Sequence, residues 1–512
     1  MMLLTNAKII INIEYTMKKT LLSTLALLML CAMCTVVQAA DKYATVSAKN
    51  IPFNMPQVAL PQIPENAVCL TDFGAVGDGG TLCTDAFAKA MKALEGKGGG
   101  KLVVPAGIWL TGPIQFENNT ELHLERGALI LFTKDFDAYP KVSTIYEGNT
   151  ANKKMAPLCA YKKHDIAITG PGAIDGQGEY WRPSKKGKFT ENQWKALTSG
   201  AGIEHKNVWY PDAKQDEFAG KAGKPDFRRV LERPVLLEFT ECERILLQEV
   251  TLSNSPAWNT HPLKCVDVTI DGVTIRNPWY AQNGDGLDLE SCNRCIIKNS
   301  TFDVGDDAIC IKSGKDKEGR EWKMPCQNVV IENCTVLHGH GGFVIGSEMS
   351  SGARNIYVYN CLFNGTDTGL RMKSTRGRGG VVENIYIDQI NMVNIAEDAF
   401  TFSLYYANKP VAGKADGDTS AADVVPQVTE ETPCFKNLYI SNITCQGAKR
   451  AVYFNGLPEM PLSNVLLENS LFVTELGADM HYAKDITFKD VRIDNSKGER
   501  ITLDNVKNFK EK

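Results

Sequence analysis

The sequence predicts a parallel β-helix, a solenoid in which short strands stack on the strands of the previous coil. A unit of Asn or Asp, a β-branched residue, any residue, Ile or Val, any residue and Asn recurs along the chain. Its copies begin at Asp267, Arg294 (a weaker match), Asn328, Asn355, Asn384, Asn437, Asn464 and Asp485. The copies follow one another at broadly similar intervals, apart from the step from Asn384 to Asn437, which is close to two ordinary steps. Apolar residues alternate inside each unit without helical periodicity, which indicates stacked strands with one buried face.

The N-terminus has the three parts of a secretory signal. The basic segment Met17-Lys18-Lys19 precedes an apolar run from Leu21 to Met33, and Val37-Gln38-Ala39 follows. We expect cleavage after Ala39 and export to the periplasm or the medium. The apolar run is too short to span a bilayer comfortably, so no membrane span is expected. Residues 1–16 are interpreted as a misassigned start upstream of Met17.

Composition is typical of a globular protein and excludes few functions. The 512 residues are 43% hydrophobic and 23% charged, with a net charge of −4. This charge gives no support to a nucleic-acid partner, and a polyanionic substrate would have to meet a local basic patch. Of the 15 cysteines, Cys31 and Cys34 lie in the signal, and the odd remainder cannot all form internal disulfides. Cys292 and Cys295 have no second ligand pair at zinc spacing, so we predict buried apolar thiols and no metal.

The mature chain is predicted to form an N-terminal extension, residues 40–70, followed by one β-helix domain, residues 71–512. A Gly-rich turn at Phe73–Gly79 precedes a helix-compatible stretch that ends near Met91. A solenoid needs a polar cap over its first open edge, and this segment is expected to supply it.

Four short segments carry the candidate chemistry. They are Asn283-Gly284-Asp285-Gly286, Gly305-Asp306-Asp307, Gly339-His340-Gly341 and Arg371-Met372-Lys373. Asp285 precedes the two adjacent aspartates by about the length of one coil, so three carboxylates should converge on one face. Crowded carboxylates do not all ionise, which provides an acid and a base for glycosidic hydrolysis. Calcium ligation and an Asx turn are alternative explanations of the Gly-Asp-Asp segment alone.

Together these segments resemble the signature motifs of the polygalacturonases, family 28 of the glycoside hydrolases. The resemblance extends from about Thr71 to the C-terminus. It implies a right-handed parallel β-helix without a cofactor. It also implies that the substrate is pectic polysaccharide, cleaved at α-1,4-galacturonosyl bonds with inversion.

The resemblance assigns roles to the residues of the four segments. Asp306 would be the general acid, while Asp285 and Asp307 would position and deprotonate the attacking water. His340 would help to set the protonation of these carboxylates. Because the acid and base carboxylates interact, they titrate as a unit, and the sequence predicts no individual pKa for either of them.

Substrate binding is assigned to a further set: Asn283, Arg371, Lys373, Arg376, Arg378 and Tyr406. Arg371 and Lys373 alternate along a strand, so both project from one face, and in the family this pair grips a galacturonate carboxylate. Arg376 and Arg378 are expected to extend the basic patch on a flexible loop. Tyr406 or its neighbour Tyr405 would contact the sugar.

Two residues depart from the common family pattern. Gly284 stands where Thr is usual, which removes a hydroxyl near the base. Met372 stands where Ile is frequent, and we interpret it as a tolerated core substitution.

An insertion at about residues 184–232 interrupts the repeat. It contains Trp194, Trp209 and Tyr210. It is either a solvated excursion or a wall at one end of the substrate groove, with aromatic rings for stacking on sugars. Residues 233–265 and 278–292 look more like the exo-acting bacterial and plant-like branch, so exo cleavage that releases galacturonate is predicted.

Three alternatives remain open at the level of sequence. A calcium-dependent pectate lyase on the same fold could use Arg371 as base, but the hydrolase set is complete. Hydrolases of rhamnogalacturonan tend to lack the histidine and the Arg-x-Lys pair, both present here. A non-catalytic carbohydrate-binding β-helix would be expected to have lost its acids.

Overall fold

The computed structural model describes residues 42–200, 202–211, 219–220, 224–225, 228–406 and 425–512. The predicted secretory signal lies outside these residues. Twenty-eight strands of the described residues form one continuous parallel sheet whose coils present three faces, which we call A, B and C. The predicted parallel β-helix is therefore confirmed.

Each face consists of strands that pair with their equivalents in the next coil. Face A contains Ile114–Gln115, Leu158–Tyr161, Leu237–Thr240, Thr260–Leu263, Leu287–Glu290, Asp307–Lys312, Gly341–Gly346, Thr368–Lys373 and Asp398–Ser403. Face B contains Ala67–Cys69, Gly100–Val104, Thr120–Leu124, His164–Thr169, Glu243–Gln248, Val266–Asp271, Asn293–Lys298, Cys326–Glu332, Ala353–Asn364, Val381–Val393, Cys434–Asn455 and Leu462–Glu511. Face C contains Gly107–Thr111, Ala128–Phe132, Ala173–Asp175, Thr251–Ser253, Thr274–Arg276, Thr301–Asp303 and Thr335–His338. The last strands of face B continue around the corners of the coil, so that Cys434–Asn455 also pairs with Asp398–Ser403 of face A.

The remaining elements decorate this solenoid. The α-helices are Thr84–Glu95, Glu191–Thr198, Arg228–Leu231 and Asp316–Trp322, and the 3₁₀ turns are Leu70–Phe73, Phe136–Ala138, Gly178–Tyr180 and Lys186–Lys188. Antiparallel pairing joins Lys141–Tyr146 to Asn149–Lys154, Val208–Tyr210 to both Ser184–Lys185 and Ile203–His205, and Ala219–Gly220 to Lys224–Pro225. No helix of the described residues is long and apolar enough to cross a membrane.

The recurring Asn and Asp residues form the corners of the coils. The first residue of each repeat copy has a left-handed backbone, for example Asn355 with φ of 54° and Asn384 with φ of 55°. Asn tolerates this conformation better than most residues. The side-chain amides also bond from coil to coil, with Asn355 Nδ2 donating to Asn328 Oδ1 at 3.2 Å. The sequence repeat therefore records where the chain turns.

The long interval from Asn384 to Asn437 is one coil and not two. Ile385 pairs directly with Leu438, and Asp388 with Ser441, so the coil after Asn384 is followed at once by the coil that starts at Asn437. The additional residues follow the strand Asp398–Ser403 and precede the strand Cys434–Asn455, and residues 407–424 among them lie outside the described part of the chain. The suggestion of two ordinary steps was wrong because sequence spacing does not distinguish a missing repeat copy from a longer connection between two paired strands.

The cysteines behave as small core residues. All 13 cysteines in the described part of the chain are free thiols, and most of them are buried. Burial raises the pKa of the thiols of Cys265 and Cys292, which keeps them protonated. Cys334 and Cys361 lie in consecutive coils next to the paired residues Thr335 and Leu362, as the repeat predicted.

Two N-terminal segments pack on the solenoid. The helix Thr84–Glu95 buries Phe87, Met91 and Leu94 against the first coils, in the position expected of the cap. A second segment, residues 43–62, which we call the strap, lies along face B. Its Ser47 hydroxyl and amide donate to Glu332, 285 residues away.

Candidate active site

The three predicted carboxylates converge at the corner between faces C and A. Leu287 pairs with Ile309, which places Asp285 beside Asp307, and Gly286 N donates to Asp307 O at 2.9 Å. One oxygen from each of Asp306 and Asp307 and one ring nitrogen of His340 lie within 4.8 Å of one another. The structure thus brings together the residues that coil length predicted to meet.

Asp306 and His340 form a close ion pair. His340 Nδ1 lies 2.9 Å from Asp306 Oδ1, and the backbone amide of His340 donates to Asp306 O. Burial alone would raise the pKa of Asp306, but the hydrogen bond and the charges of His340 and Lys373 outweigh burial and lower it to about 2. The same hydrogen bond raises the pKa of His340. In the free protein the shared proton therefore resides on the imidazole.

Asp285 and Asp307 are buried more deeply and differ in their partners. Burial, with the charges of Asp288 and Asp306, raises the pKa of Asp285 well above its ordinary value. Asp307 Oδ2 accepts from Lys373 Nζ at 2.6 Å. Asp285 Oδ1 and Asp307 Oδ1 have no hydrogen-bond partner among the described residues. Each of these two aspartates thus has one buried side-chain oxygen that no described residue satisfies.

The Arg371 and Lys373 side chains project from one face, as predicted. Lys373 is nearly buried, while Arg371 remains partly open and its Nη1 lies 3.7 Å from Asp307 Oδ1. Met372 between them packs in the core. The ring of Tyr406 lies 5.2 Å from Lys373 Nζ, whereas Tyr405 packs against the core, so Tyr406 is the tyrosine at the site.

Arg376 and Arg378 are each paired with an acidic side chain. Arg376 makes a two-pronged pair with Glu459 at 2.6 and 2.8 Å. Arg378 is buried and donates to Asp316 Oδ1 at 2.5 Å and to Ser347 O at 3.2 Å. Both guanidinium groups anchor this loop to its neighbours, whereas the sequence pattern predicted a flexible loop, and substrate binding by the two arginines stays a prediction.

The Asn283-Gly284 turn is fixed from several sides. Asn283 Oδ1 accepts from Nη2 of the buried Arg233 at 2.7 Å. A Cβ on Gly284 would lie 2.5 Å from the Ala281 Cβ. This backbone therefore leaves no room for the threonine that is common in the family.

Sequence reasoning missed a layer of charged residues on the outer side of face A. It consists of His261, Asp288, Glu290, Lys312 and Glu348, all of them buried or nearly so. Lys312 Nζ lies 3.0 Å from Glu348 Oε2 and 3.5 Å from Asp288 Oδ1. Along the strands of face A, period-2 alternation points such side chains outward, so the sequence pattern alone would place them in solvent.

The hairpin of strands Lys141–Tyr146 and Asn149–Lys154 contributes to covering this layer. The Tyr146 ring lies 4.9 Å from the Trp258 ring. At the tip of the hairpin, Gly148 O accepts from Lys315 N, and Thr150 Oγ1 donates to Glu318 at 2.6 Å. The hairpin carries no repeat signature, so no pattern in the sequence indicated it.

A cavity of about 690 Å³ opens on the face C side of the acids. Gly305 and His340 line it next to the acids, and Lys188, Arg276 and Trp279 line it elsewhere. The predicted insertion contributes Lys188 to this cavity.

The three aromatic residues proposed for the insertion do not line that cavity. Trp194 is only 5% exposed and packs beside Phe189. Trp209 lines a separate cavity of about 550 Å³, and Tyr210 lines neither. Among the described residues, Trp279 provides an aromatic ring to the cavity of about 690 Å³.

Asp306, Asp307 and His340 are also close enough to share a cation. Lys373 and the imidazolium of His340 already balance the two carboxylates, so the site as folded does not require one.

Comparison with known proteins agrees with this geometry. The family model described as Glycosyl hydrolases family 28 matches residues 215–441. A probable polygalacturonase of Vitis vinifera is 28% identical over 79% of this chain and 74% of its own length. An exo-poly-alpha-D-galacturonosidase of Dickeya chrysanthemi is 28% identical to this chain, and the aligned region covers 68% of this chain and 58% of that protein.

A solved structure extends the likeness to the whole fold. The exopolygalacturonase of Thermotoga maritima is 30% identical and superimposes with a TM-score of 0.69, covering 86% of this chain and 95% of that one. The likeness confirms the right-handed winding expected from the motifs. The chain is therefore a glycoside hydrolase and belongs to glycoside hydrolase family 28.

Proposed function

We propose that this enzyme hydrolyses the α-1,4-galacturonosyl bonds of polygalacturonate and releases galacturonate from a chain end. The observation that carries the proposal is the corner where three carboxylates meet the cationic pair Arg371 and Lys373. Carboxylates provide acid and base for glycosidic cleavage, and the cations suit a substrate that carries a carboxylate on every sugar.

The acid step uses the Asp306–His340 pair as its proton source. Asp306 first takes up the proton of the His340 imidazolium and then, as a carboxylic acid, passes it to the glycosidic oxygen as the C1–O bond breaks. The proton stored on His340 Nδ1 reaches Asp306 through their 2.9 Å contact. This arrangement lets a carboxylate with a low resting pKa act as a general acid.

The water step uses Asp285 and Asp307. Protonated Asp285 holds the water, and Asp307, which is bound to Lys373, accepts the proton as the water oxygen bonds to C1. The two buried oxygens without partners, one on each aspartate, are suited to bind that water.

We propose inversion of the anomeric carbon, because in this division of roles the group that attacks C1 is water and not a carboxylate. The short distance between Asp306 and Asp307 oxygens is unlike the roughly 6.5–9.5 Å carboxyl separation usual in inverting enzymes. Asp307 is nevertheless a poor nucleophile, because it is buried and bound to Lys373. We expect β-galacturonate as the first product, which proton NMR of a fresh digest would detect.

Exo action is supported by the hairpin and by the relatives. The hairpin ties Gly148 and Thr150 to the helix Asp316–Trp322, so a polymer extending along face A past the acids would meet it. The Dickeya and Thermotoga proteins are both named as exo-acting. We also propose export to the periplasm or the medium, on the strength of the predicted signal.

The test is a polygalacturonate digest in excess chelator, with products separated by chromatography and mass. Saturated galacturonate monomer from the earliest times supports the proposal. Saturated oligomers would mean endo cleavage, and unsaturated products after calcium is restored would mean a lyase. Absence of any reaction would direct the search to other uronate-containing pectins, rhamnogalacturonan first.

Replacement of Asp306 by Asn tests the acid assignment. We expect kcat to fall by roughly 10²–10⁴, the usual contribution of a general acid. Folding, followed by circular dichroism, and substrate affinity should change little. An active variant would exclude Asp306 as the acid.

A further inference from the structure

We propose that Trp279, Arg276 and Lys188 form a second uronate subsite, on the face C side of the acids. The inference rests on the proposed function and adds a binding site for the sugar on the other side of the scissile bond from Arg371 and Lys373.

The position of the acids at a corner is the first argument. Asp306 and Asp307 follow the face C strand Thr301–Asp303 and begin the face A strand Asp307–Lys312. Arg371 and Lys373 lie on face A, whereas the cavity of about 690 Å³ lies on the face C side and reaches His340. A glycosidic bond held at the corner would thus place one sugar toward each face.

Trp279 provides an exposed ring in this cavity. Its side chain is 49% exposed, which is unusual for so large an apolar group. Phe189 and Tyr280 support it, with ring centroids 6.3 and 5.7 Å away. A supported, exposed aromatic face is the feature that stacks on the apolar face of a pyranose ring.

The Trp279 loop is rigidly joined to the catalytic loop. Asn277 is buried, and its Nδ2 donates to the backbone oxygens of Gly284 and Asp285 at 3.1 and 3.2 Å. Ala281 N donates to Pro278 O. The ring is therefore held at a fixed distance from the acids, as a subsite next to the cleaved bond requires.

Arg276 and Lys188 provide the charge that a uronate needs. The Arg276 side chain is 64% exposed, and its nearest acid, Asp303, lies 3.9 Å away. Asp303 already bonds to His338 at 2.7 Å, which leaves the guanidinium largely available. Lys188 enters from the insertion and lines the same cavity. A planar guanidinium recognises a carboxylate through two parallel hydrogen bonds.

The experiment measures kcat and KM of Trp279→Ala and Arg276→Ala with trigalacturonate. Because the contacts hold substrate and transition state equally, KM should rise while kcat stays within twofold of the parent value. We expect a KM increase of roughly tenfold for Trp279→Ala and about threefold for Arg276→Ala, given the usual strengths of aromatic and exposed ionic contacts. Trp279→Phe should restore most of the affinity. Tyr161→Ala and Arg492→Ala, exposed residues of the same types away from the cavity, serve as controls.

Two further measurements separate binding from turnover. Calorimetric titration of Asp306→Asn with trigalacturonate should show weaker binding when Trp279→Ala is added. The Arg276→Ala penalty should disappear with the methyl ester of trigalacturonate, which lacks the negative charge, while the Trp279→Ala penalty remains.

The inference is overturned if both alanine variants keep KM and binding within twofold of the parent enzyme. It is also overturned if they lower kcat without changing KM, since that would indicate a role in the chemistry or in the fold. Failure of the proposed function would look different: the parent enzyme itself would release no galacturonate.

Discussion

At the scale of single residues, the site is organised by where protons rest. Asp306 is ionised and pairs with protonated His340, while Asp285 keeps its proton because it is buried among other acids. In this resting state Asp306 carries no proton, although a general acid acting alone would need one. The imidazole resolves this by storing the proton.

Replacement of His340 by Asn tests that storage. The parent activity should persist above pH 6.5 and fall as pH rises through the raised pKa of His340, because the pair then loses its proton. In the variant Asp306 must hold the proton itself, so the alkaline limb of kcat/KM should move to lower pH and kcat should fall by about 10²-fold. His481→Asn removes a comparable histidine–aspartate contact on the C-terminal coils and should leave the pH profile unchanged. An unmoved alkaline limb in the His340 variant would contradict proton storage.

Asp288 is expected to make stability depend on pH. Burial raises its pKa to about 7, although Lys312 and His261 act in the opposite direction. A raised pKa gives stability that is complete below about pH 4, the ordinary value, and that is lost as pH rises through about 7. Asp288→Asn removes this titration, so the variant should gain on the parent in unfolding free energy between about pH 5 and 8, on the order of a few kcal/mol. Urea unfolding of the variant and the parent at about pH 5 and at about pH 8 measures this gain, and the exposed Asp137→Asn serves as control. The same difference in unfolding free energy at both pH values would contradict the assignment.

The sequence predicted the position of single residues best where a motif lies at a corner of the coil. Asp285, Asp306 and His340 converge because coil length fixes their neighbours. Asp288 and Lys312 escaped notice because an isolated charge in an alternating strand normally faces water. What buries them comes from segments distant in the chain, which alternation does not reveal.

At the scale of the elements, the asparagine corners join coils through backbone and side chain together. Asn355 has a left-handed backbone, donates to Asn328 and accepts from Asn384. The same corner was visible in the sequence as the repeat, which explains why the solenoid was predictable. The hairpin and the long coil were not, since neither repeats.

Asn355→Ala and Asn355→Gly separate the two contributions. Both lose the two amide hydrogen bonds, worth about 1 kcal/mol each. Only alanine also strains the left-handed backbone, by roughly 1–2 kcal/mol. We expect Asn355→Ala to lose more unfolding free energy than Asn355→Gly in chemical denaturation. The reverse order would show that the backbone conformation is not the reason for asparagine.

At the scale of the whole molecule, the strap contacts strands of face B that are distant from it in the sequence. Ser47 bonds to Glu332, the Phe53 ring lies 5.9 Å from the Tyr386 ring, and Gln62 N donates to Asp165. Removal of residues up to 62 should cost several kcal/mol and lower the melting temperature by about 5 °C, since each kcal/mol lost is worth at most about 2–4 °C in a protein of this size. The kcat at 25 °C should not change, because the strap packs on face B and the acids lie at the corner of faces C and A. A truncated enzyme with an unchanged melting temperature would show that the strap adds no stability.

The long coil that follows Asn384 has a consequence for how this molecule can diversify. Doubling the length of a flexible loop adds only about 0.6 kcal/mol of closure entropy, less than one hydrogen bond. One extra residue inside a paired strand would instead turn its buried side chains toward solvent. Ile385 and Leu438 keep their register across the long coil, as the equivalent residues of the next coil do across an ordinary one. The length of the connection between Ser403 and Cys434, which begins close to Tyr406 and Lys373, can therefore change with little effect on the strand register that holds the acids in place.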